Sequence, residues 1–250
     1  MARASDARPG RIDWSRMPET IIDLHVHTVV GSVDSSLLPQ ELLDEAYRVG
    51  LQGVCLTEHR GPWDKFEFDR FKKQQNNILI INAMEVETTV GHITVFGLDR
   101  YVPGIRDPWT LRKTADNEGA YIVMAHPFRN LLQKPPYNTN CLLFRGWNPI
   151  PTTVEEAIKH PVFDVVDAIE VVNGGTSDAE NYFAWEVAKR LGKPMVGGSD
   201  AHSTNGLGRC VTVFREAIRD QAGFLAALHA GNFYPATGLL FGELAALGQQ

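Results

Sequence analysis

The sequence predicts an α/β fold in which strands and helices alternate around a closed or nearly closed barrel. Short apolar runs rich in β-branched residues alternate with helical segments, which is typical of βα units and of a mostly parallel sheet. About seven such units fit into the 250 residues, and this number favours a barrel over an open sheet. We therefore predict one domain over residues 20–250, preceded by a disordered tail over residues 1–19.

The first elements have clear boundaries in the sequence. The run TIIDLHV predicts a strand at 20–26. Pro39 and Gly50 bracket a predicted helix, because proline suits the first helical turn and glycine suits the position just past the last one. The runs at 78–84 and 92–97 are predicted to pair as a hairpin.

The remaining elements continue the alternation. The other strands are predicted from apolar runs at 53–57, 120–125, 165–172, 194–198 and 210–214. The other helices are predicted at 107–119, 152–160, 178–191 and 215–231. Two segments interrupt this pattern: residues 60–77 are charged, aromatic and partly helical, and residues 129–151 are predicted to form a long ordered loop. The aromatic side chains of Tyr137, Phe144 and Trp147 favour a functional lid for that loop.

Composition excludes several classes of protein. A hydrophobic content of 44% with 22% charged residues is ordinary for a globular chain. The net charge of −6 lacks the basic excess of general nucleic-acid binders, so nucleic acid is not expected as a partner. No apolar stretch of about 18 residues predicts a membrane span. Cys55, Cys141 and Cys210 are widely spaced and are predicted to be reduced packing residues of a cytoplasmic protein without a secretory signal.

Histidines and carboxylates gather at the ends of the predicted strands. They are His25, His27, His59, Glu85, His126, Asp200 and His202. The carboxyl ends of the strands in a parallel barrel all face one mouth, where active sites are built. The sequence therefore predicts that distant segments deliver imidazoles and carboxylates to one place.

These side chains have the spacing and chemistry of metal ligands. His25 and His27 lie two residues apart on a strand and point to the same face, and Asp200 and His202 repeat this spacing. Imidazole together with carboxylate suits Zn²⁺, Mn²⁺ or Fe²⁺. Because these seven candidate ligands exceed the roughly four to six that one ion takes, we predict two or three divalent ions.

The motifs DLHVHT, LTEH, AMEVE, GHITVFG, AHPFR and GGSDAHS resemble, in this order, those of the polymerase and histidinol phosphatase (PHP) family. The resemblance runs from about Ile21 to Pro235. It implies a distorted TIM-like (β/α)₇ barrel with its active site at the mouth formed by the strand carboxyl ends. It also implies a trinuclear metal centre that hydrolyses phosphoesters.

The resemblance also implies three ligand sets. The first set is His25, His27, Glu85 and Asp200, the second is Glu85, His92 and His126, and the third is His59, His202 and Asp34. Asp34 is the best match in the loop after the first strand, where the family has histidine or aspartate and this chain has two inserted residues.

Two further residues are predicted to be catalytic. Arg129 resembles the family's arginine near the phosphate, where a planar guanidinium suits two oxygens. Glu58 stands where aspartate is more usual, and it is predicted to orient His59 or a bound water. Asp23 is predicted either to support a ligand in a similar way or simply to end the strand. Weaker candidates for substrate contact are Arg60, Asn173, Lys134 and Arg145, whereas His160 and His229 are predicted to be ordinary packing or loop residues.

The function predicted from this resemblance is the metal-dependent hydrolysis of a phosphate ester of a small metabolite or nucleotide, through a metal-bridged hydroxide. Two alternatives stay open. One is a nuclease-like phosphodiesterase, for which the basic stretch at 65–73 is the only sequence support. The other is a non-catalytic metal-binding or regulatory module.

Overall fold

The computed structural model describes residues 19–75 and 77–247, and it places them in an α/β fold around one curled sheet. The strands are β1 (Thr20–Val26), β2 (Gly53–Glu58), β3 (Leu79–Thr88), β4 (Gly91–Phe96), β5 (Tyr121–Met124), β6 (Ala168–Asn173), β7 (Met195–Gly198), β8 (Cys210–Phe214), β9 (Phe233–Thr237) and β10 (Ala245–Ala246). The helices are α1 (Pro39–Val49), α2 (Lys65–Lys72), α3 (Pro108–Glu118), α4 (Val154–Ala157), α5 (Asp178–Leu191) and α6 (Gln221–Ala230). Residues 1–18 of the predicted tail lie outside the described residues.

The sheet has the strand order β10-β9-β8-β1-β2-β3-β4-β5-β6-β7. Strands β1, β2 and β3 pair in parallel, and so do β5, β6 and β7. Strand β4 runs antiparallel to both of its neighbours, and β8, β9 and β10 join by antiparallel pairs. The predicted hairpin is confirmed by the β3–β4 pair. The expectation of a mostly parallel sheet is wrong, because this hairpin reverses one strand and the C-terminal strands return along β1.

The barrel closes where the chain after β7 meets β1. Ala201 forms a parallel bridge with Val26. The backbone N–H of His27 donates to the carbonyl oxygen of Ala201 at 3.0 Å, and the N–H of Asp200 donates to the carbonyl oxygen of His25 at 2.7 Å. These bonds bring two stretches rich in candidate ligands against each other.

The buried carboxylate of Asp23 stabilises this closure of the barrel. It accepts hydrogen bonds from the backbone N–H groups of Ser199 at 2.8 Å and Gly208 at 3.0 Å. Burial raises the pKa of Asp23 to about 6. Asp23 lies inside β1 and does not end it, and it supports the segment that carries Asp200.

Other differences from the sequence-based elements have local causes. Strand β6 begins at Ala168, because the N–H groups of Val165 and Val166 still donate to the carbonyl oxygen of Val162 in the preceding 3₁₀ turn. The last helix begins at Gln221 and not at residue 215. Strand β9 was not predicted, since its Pro235 has no N–H to donate to a sheet.

The segment 129–151 is anchored to the core. Leu131, Cys141, Leu143 and Phe144 are buried, and the rings of Phe144 and Phe128 stack with centroids 6.2 Å apart. These buried side chains anchor the loop to the core as a wall, and its role as a functional lid stays a prediction.

Two expectations from composition can also be compared with the fold. All three cysteines are buried and unpaired, as predicted. Within the described residues, no helix combines the length and the apolar character needed to cross a bilayer.

Candidate metal centre

Two histidines of β1 form the deepest part of a side-chain cluster at the barrel mouth. His25 and His27 are both fully buried. Their Nε2 atoms lie 3.1 Å apart. Because they sit two residues apart on an extended strand, both rings point into the barrel.

The Nδ1 atoms of these two histidines face partners outside the cluster. Nδ1 of His25 lies 3.0 Å from Oε1 of Glu170, a carboxylate that only accepts, so we assign the proton to Nδ1. Nδ1 of His27 lies 3.0 Å from Oγ of Ser32, whose own proton goes to Glu58 at 2.6 Å. His27 is therefore the donor in its bond with Ser32. When the two rings are neutral, Nε2 of each carries a lone pair that faces the cluster.

Glu85, which lies within β3, is the central carboxylate of the cluster. Its Oε1 lies 3.0 Å from Nδ1 of His92 and 3.0 Å from Nε2 of His126. The same oxygen lies 3.3 Å from Nε2 of His25, and Oε2 lies 3.4 Å from Nε2 of His27. His92 reaches the mouth although it opens its strand, because β4 is antiparallel and starts where the parallel strands end.

Asp200 completes the inner cluster from the turn after β7. Its Oδ1 lies 3.3 Å from Nε2 of His27 and 3.6 Å from Nε2 of His25. The backbone of Asp200 has a φ of 56°, and that of His126 has a φ of 28°. Such left-handed conformations are costly for residues other than glycine and are concentrated at functional sites.

Asp34 lies between two further histidines at the outer edge of the cluster. Its Oδ2 is 3.4 Å from Nε2 of His59 and 3.3 Å from Nε2 of His202. Nδ1 of His202 lies 2.9 Å from the carbonyl oxygen of Asp200. A carbonyl only accepts, so we assign the proton of His202 to Nδ1 and the lone pair to the Nε2 that faces Asp34.

The cluster fits divalent cations, because many of its facing atoms are acceptors. Nε2 of His25, Nε2 of His27 and the carboxylate of Asp200 face one another with no proton assigned between them. Such atoms repel unless a cation or a proton lies among them. Nδ1 of His59 makes no hydrogen bond and lies 3.2 Å from Oε2 of Glu85, which places a further candidate donor atom beside that carboxylate. Ligands about 2.0–2.2 Å from a tetrahedral ion stand roughly 3.3–3.6 Å apart, close to the separations found here.

Ligand atoms close enough to share an ion occur in three groups within the described residues. They are His25–His27–Asp200, His25–Glu85–His126 and His27–His59–His202. The first agrees with three members of the first predicted set, and the second joins Glu85 and His126 as the second predicted set does. The third includes His27 in addition to the predicted pair His59 and His202. All nine predicted ligands therefore lie in one connected cluster.

The charges of the cluster favour positive ions. Burial alone would raise the pKa of Glu85, but the histidines around it hold that pKa well below its usual range. Burial would likewise raise the pKa of Asp200, and His25 with its neighbours holds it well below the usual value. Burial opposes protonation of His25, yet Glu170, Asp200 and Glu85 raise its pKa well above the usual value.

Glu58 does not face the cluster. Its fully buried carboxylate accepts hydrogen bonds from Ser32, from Thr28 and from Nε1 of Trp63 at 2.9 Å. The side chain that it orients is His27, through Ser32, whereas its predicted partner His59 meets Ser32 only with its backbone N–H. Glu58 is therefore a positioning residue.

Arg129 lies at the rim of the cluster. Its Nη2 donates to the carboxylate of Asp200 and, at 2.8 Å, to Oδ1 of Asn173. The side chain keeps 32% of its surface exposed. It is held in place but still accessible from the mouth. Arg60 and Arg145, by contrast, are exposed outside the cluster.

Sequence reasoning missed Glu170 and Ser32. Glu170 is 3% exposed, in the middle of β6. A charged residue flanked by apolar residues in a buried strand indicates a paired carboxylate, and the run AIEVV carries this sign. Ser32 has no comparable sign, because its contact with His27 depends on the loop conformation.

The fold and the cluster define an α/β barrel protein with a candidate polynuclear metal centre. The model of the PHP domain matches residues 23–159, and a PHP-associated model matches residues 178–233. Because the first match covers more than half of the chain, the chain belongs to the PHP domain family. The resemblance seen in the sequence and its distorted barrel are thereby confirmed.

Solved structures share the fold at low sequence identity. PsfC from Pseudomonas syringae PB-5123 has a TM-score of 0.56 at 21% identity, over 84% of this chain and 89% of that one. A protein of Bifidobacterium adolescentis ATCC 15703, described as a metal-dependent phosphoesterase, has a TM-score of 0.56 at 16% identity, over 83% and 95%. The lesion-specific endonuclease PfuEndoQ from Pyrococcus furiosus has a TM-score of 0.58 at 19% identity, over 85% and 56%.

A relative in sequence is the error-prone DNA polymerase of Nocardia farcinica (strain IFM 10152). The identity is 27% over an alignment of 112 residues, and the match covers 33% of this chain and 10% of the polymerase. The chain thus matches about a tenth of the length of this relative.

Proposed function

We propose that the chain is a metal-dependent phosphoesterase that hydrolyses a phosphate ester of a small metabolite or nucleotide. The observation that supports this most strongly is the convergence of nine imidazole and carboxylate side chains at one barrel mouth. Burying so many polar groups without cations would cost several kcal/mol each. Membership of the PHP family and the fold shared with a protein described as a metal-dependent phosphoesterase agree with the proposal.

Three sets of residues would hold the ions. They are His25, His27, Glu85 and Asp200; Glu85, His92 and His126; and His59, His202 and Asp34. The same nitrogen and oxygen donor atoms can bind manganese, iron and zinc. When bound, such ions lower the pKa of a coordinated water and neutralise phosphoryl oxygens.

The other residues of the site bind and position. The guanidinium of Arg129 offers N–H groups to a phosphoryl oxygen while Asp200 and Asn173 hold it in place. Glu58 fixes the ring of His27 through Ser32, and this keeps Nε2 unprotonated.

The test compares hydrolysis of an aryl phosphate by the protein loaded with Mn²⁺ and by two alanine variants. His25→Ala should abolish the release of phosphate, because it removes an atom from the centre of the cluster. His229→Ala is the matched control, since this histidine is exposed on α6 away from the cluster. Equal activity in the protein and in His25→Ala, unaffected by metal, would refute the proposal.

A second candidate is a nuclease-like phosphodiesterase. Endonuclease Q, solved with a 27-mer duplex that carries an abasic lesion, shares the fold with a TM-score of 0.58 at 18% identity. The expectation that nucleic acid is not a partner therefore has no support from the comparisons. Helix α2 adds the exposed side chains of Lys65, Arg70 and Lys72.

Substrate preference separates these functions. Faster hydrolysis of a single-stranded oligonucleotide than of nucleoside monophosphates would favour the phosphodiesterase. Tight metal binding with no turnover of either substrate would favour a non-catalytic module.

A further inference from the structure

A cavity of about 180 Å³ opens beside the metal cluster. It lies between the start of β4, the end of β5 and the segment 129–151. His92 and His126 belong both to the cluster and to the lining of this cavity. An ester whose phosphoryl group is held at the cluster thus has this cavity directly beside it.

The walls of the cavity are mostly apolar. Away from the cluster, its lining includes the apolar side chains of Met124, Pro127, Leu142 and Leu143 and the amides of Asn130 and Asn140. Among the described residues that line it, Arg129 at the mouth is the only arginine, lysine, aspartate or glutamate. An ammonium or carboxylate group of a ligand would therefore lose its water in this cavity without meeting an opposite charge on the wall away from Arg129.

Packing against the core fixes the walls of the cavity. Leu143 and Phe144 are buried in the core behind it, and Sγ of Cys141 lies 3.5 Å from the carbonyl oxygen of Pro127. Gly91 brings the start of β4 close to this wall, since a Cβ there would stand 3.1 Å from Cε of Met124 and 3.6 Å from Cβ of Leu142. A wall fixed in this way selects its occupant by size and polarity.

We infer that this cavity binds the leaving group of the substrate, and that this group is small and uncharged, with one ring or a short alkyl chain. The inference rests on the proposed function. Hydrolysis adds water across the P–O bond and releases phosphate and an alcohol, and the alcohol is the part that occupies the cavity. A cavity of about 150 Å³ holds one benzene ring, so 180 Å³ matches one ring more closely than a fused pair of rings.

Binding of phosphonates tests the inference without any need for turnover. Titration calorimetry on the protein loaded with Mn²⁺ would compare methylphosphonate, phenylphosphonate and 4-carboxyphenylphosphonate. We expect phenylphosphonate to bind at least tenfold more tightly than methylphosphonate, because the ring leaves water for an apolar wall. We expect the carboxylate of 4-carboxyphenylphosphonate to remove this gain in affinity. Equal affinities for all three would overturn the inference.

Two tryptophan variants of the same segment locate the binding. Leu142 is half-buried and lines the cavity, so Leu142→Trp should fill it and abolish the preference for phenylphosphonate while methylphosphonate still binds. Leu132 is 46% exposed and does not line the cavity, so Leu132→Trp should keep the preference. A preference that survives in Leu142→Trp would place the ring elsewhere and refute the inference.

The binding and hydrolysis experiments distinguish failure of the inference from failure of the proposed function. Ring-selective binding without hydrolysis of any ester would contradict the proposed function and retain the cavity as a ring-binding site. Hydrolysis of phenyl and 1-naphthyl phosphate at equal kcat/KM would retain the proposed function and overturn the size limit. Unchanged contents of metal in Leu142→Trp, measured by elemental analysis, would show that the cluster is intact.

Discussion

The carboxylate of Glu170 stands 3.0 Å from Nδ1 of His25, with both residues almost completely buried. Its second oxygen accepts the backbone N–H of His126 at 2.8 Å and the side-chain amide of Asn173 at 2.9 Å. One carboxylate therefore joins β1, the end of β5 and β6, and it sets the ring orientation of a central candidate ligand.

Replacing this carboxylate should weaken metal binding. Glutamine in Glu170→Gln has one acceptor oxygen, which cannot serve both His25 and the backbone of His126. Loss of such a partner lowers metal affinity by about 10- to 100-fold. Competition titration with a chromophoric chelator would measure the change for Mn²⁺. Glu155→Gln is the matched control, since this glutamate is exposed and pairs with Arg190, and an equal loss in both variants would contradict the role of Glu170.

Removal of Asp34 should empty only the outer part of the centre. The carboxylate is 54% exposed and lies between His59 and His202, so Asp34→Ala should reduce the metal content by one ion for each chain and leave the fold intact. Elemental analysis after purification without chelator checks this outcome. Asp44→Ala, on the exposed face of α1, should keep the full content. An unchanged stoichiometry in Asp34→Ala would show that this carboxylate holds no ion.

A methyl group at Gly198 should destabilise the protein. A Cβ at this position would stand 2.4 Å from Cβ of His25 and 2.8 Å from Oε1 of Glu170. Such overpacking costs about 1–3 kcal/mol. Chemical denaturation would measure the free energy of unfolding. In Gly223→Ala the new Cβ meets only Asp220 at 3.4 Å, and we expect a gain of about 0.5 kcal/mol there.

His160 should make stability depend on pH. Burial lowers the pKa of His160 from 6.5 to about 4, and its Nδ1 accepts the N–H of Val162 at 3.2 Å. As the pH falls from 6.5 to about 4, the unfolded chain binds a proton that the folded chain does not, so stability decreases. The difference of about 2.5 pKa units corresponds to about 3 kcal/mol.

The variant His160→Asn isolates this contribution, because asparagine accepts the same N–H and does not titrate. Between pH 6.5 and about 4, the free energy of unfolding should decrease in both proteins, and the decrease should be about 3 kcal/mol smaller in the variant than in the parent. Parallel pH profiles would contradict the depressed pKa.

Chelation should lower thermal stability. Ions that bind only the folded chain stabilise it by mass action, by about 2.7 kcal/mol at a concentration 100-fold above Kd. EDTA should therefore reduce Tm, and added Mn²⁺ should restore it. The variant His25→Ala should show a smaller shift, and a Tm that does not respond to EDTA would argue against bound ions.

Much of this architecture follows from local patterns. Pro39 and Gly50 mark the bounds of α1 because they act on the backbone of their own turn. The β3–β4 hairpin follows from two apolar runs that a short turn joins. The start of β6 and the strand β9 were missed, since neighbouring strands decide whether a marginal segment pairs. Pro235 lies in β9 between β8 and β10 although it has no N–H to donate, and its carbonyl oxygen accepts the N–H of Leu247 at 3.0 Å.

In the candidate site, too, some features could be predicted from the sequence and others could not. The chemistry can be predicted from the residues alone, since imidazoles and carboxylates at the ends of apolar runs are visible as residue types and spacings. Which of their atoms face one another depends on the folded barrel. Glu170 reaches His25 across 145 residues, Ser32 couples Glu58 to His27, and the wall of segment 129–151 shapes the cavity. Such contacts depend on how the barrel closes, because side-chain partners far apart in the chain are set by packing and not by local backbone preference.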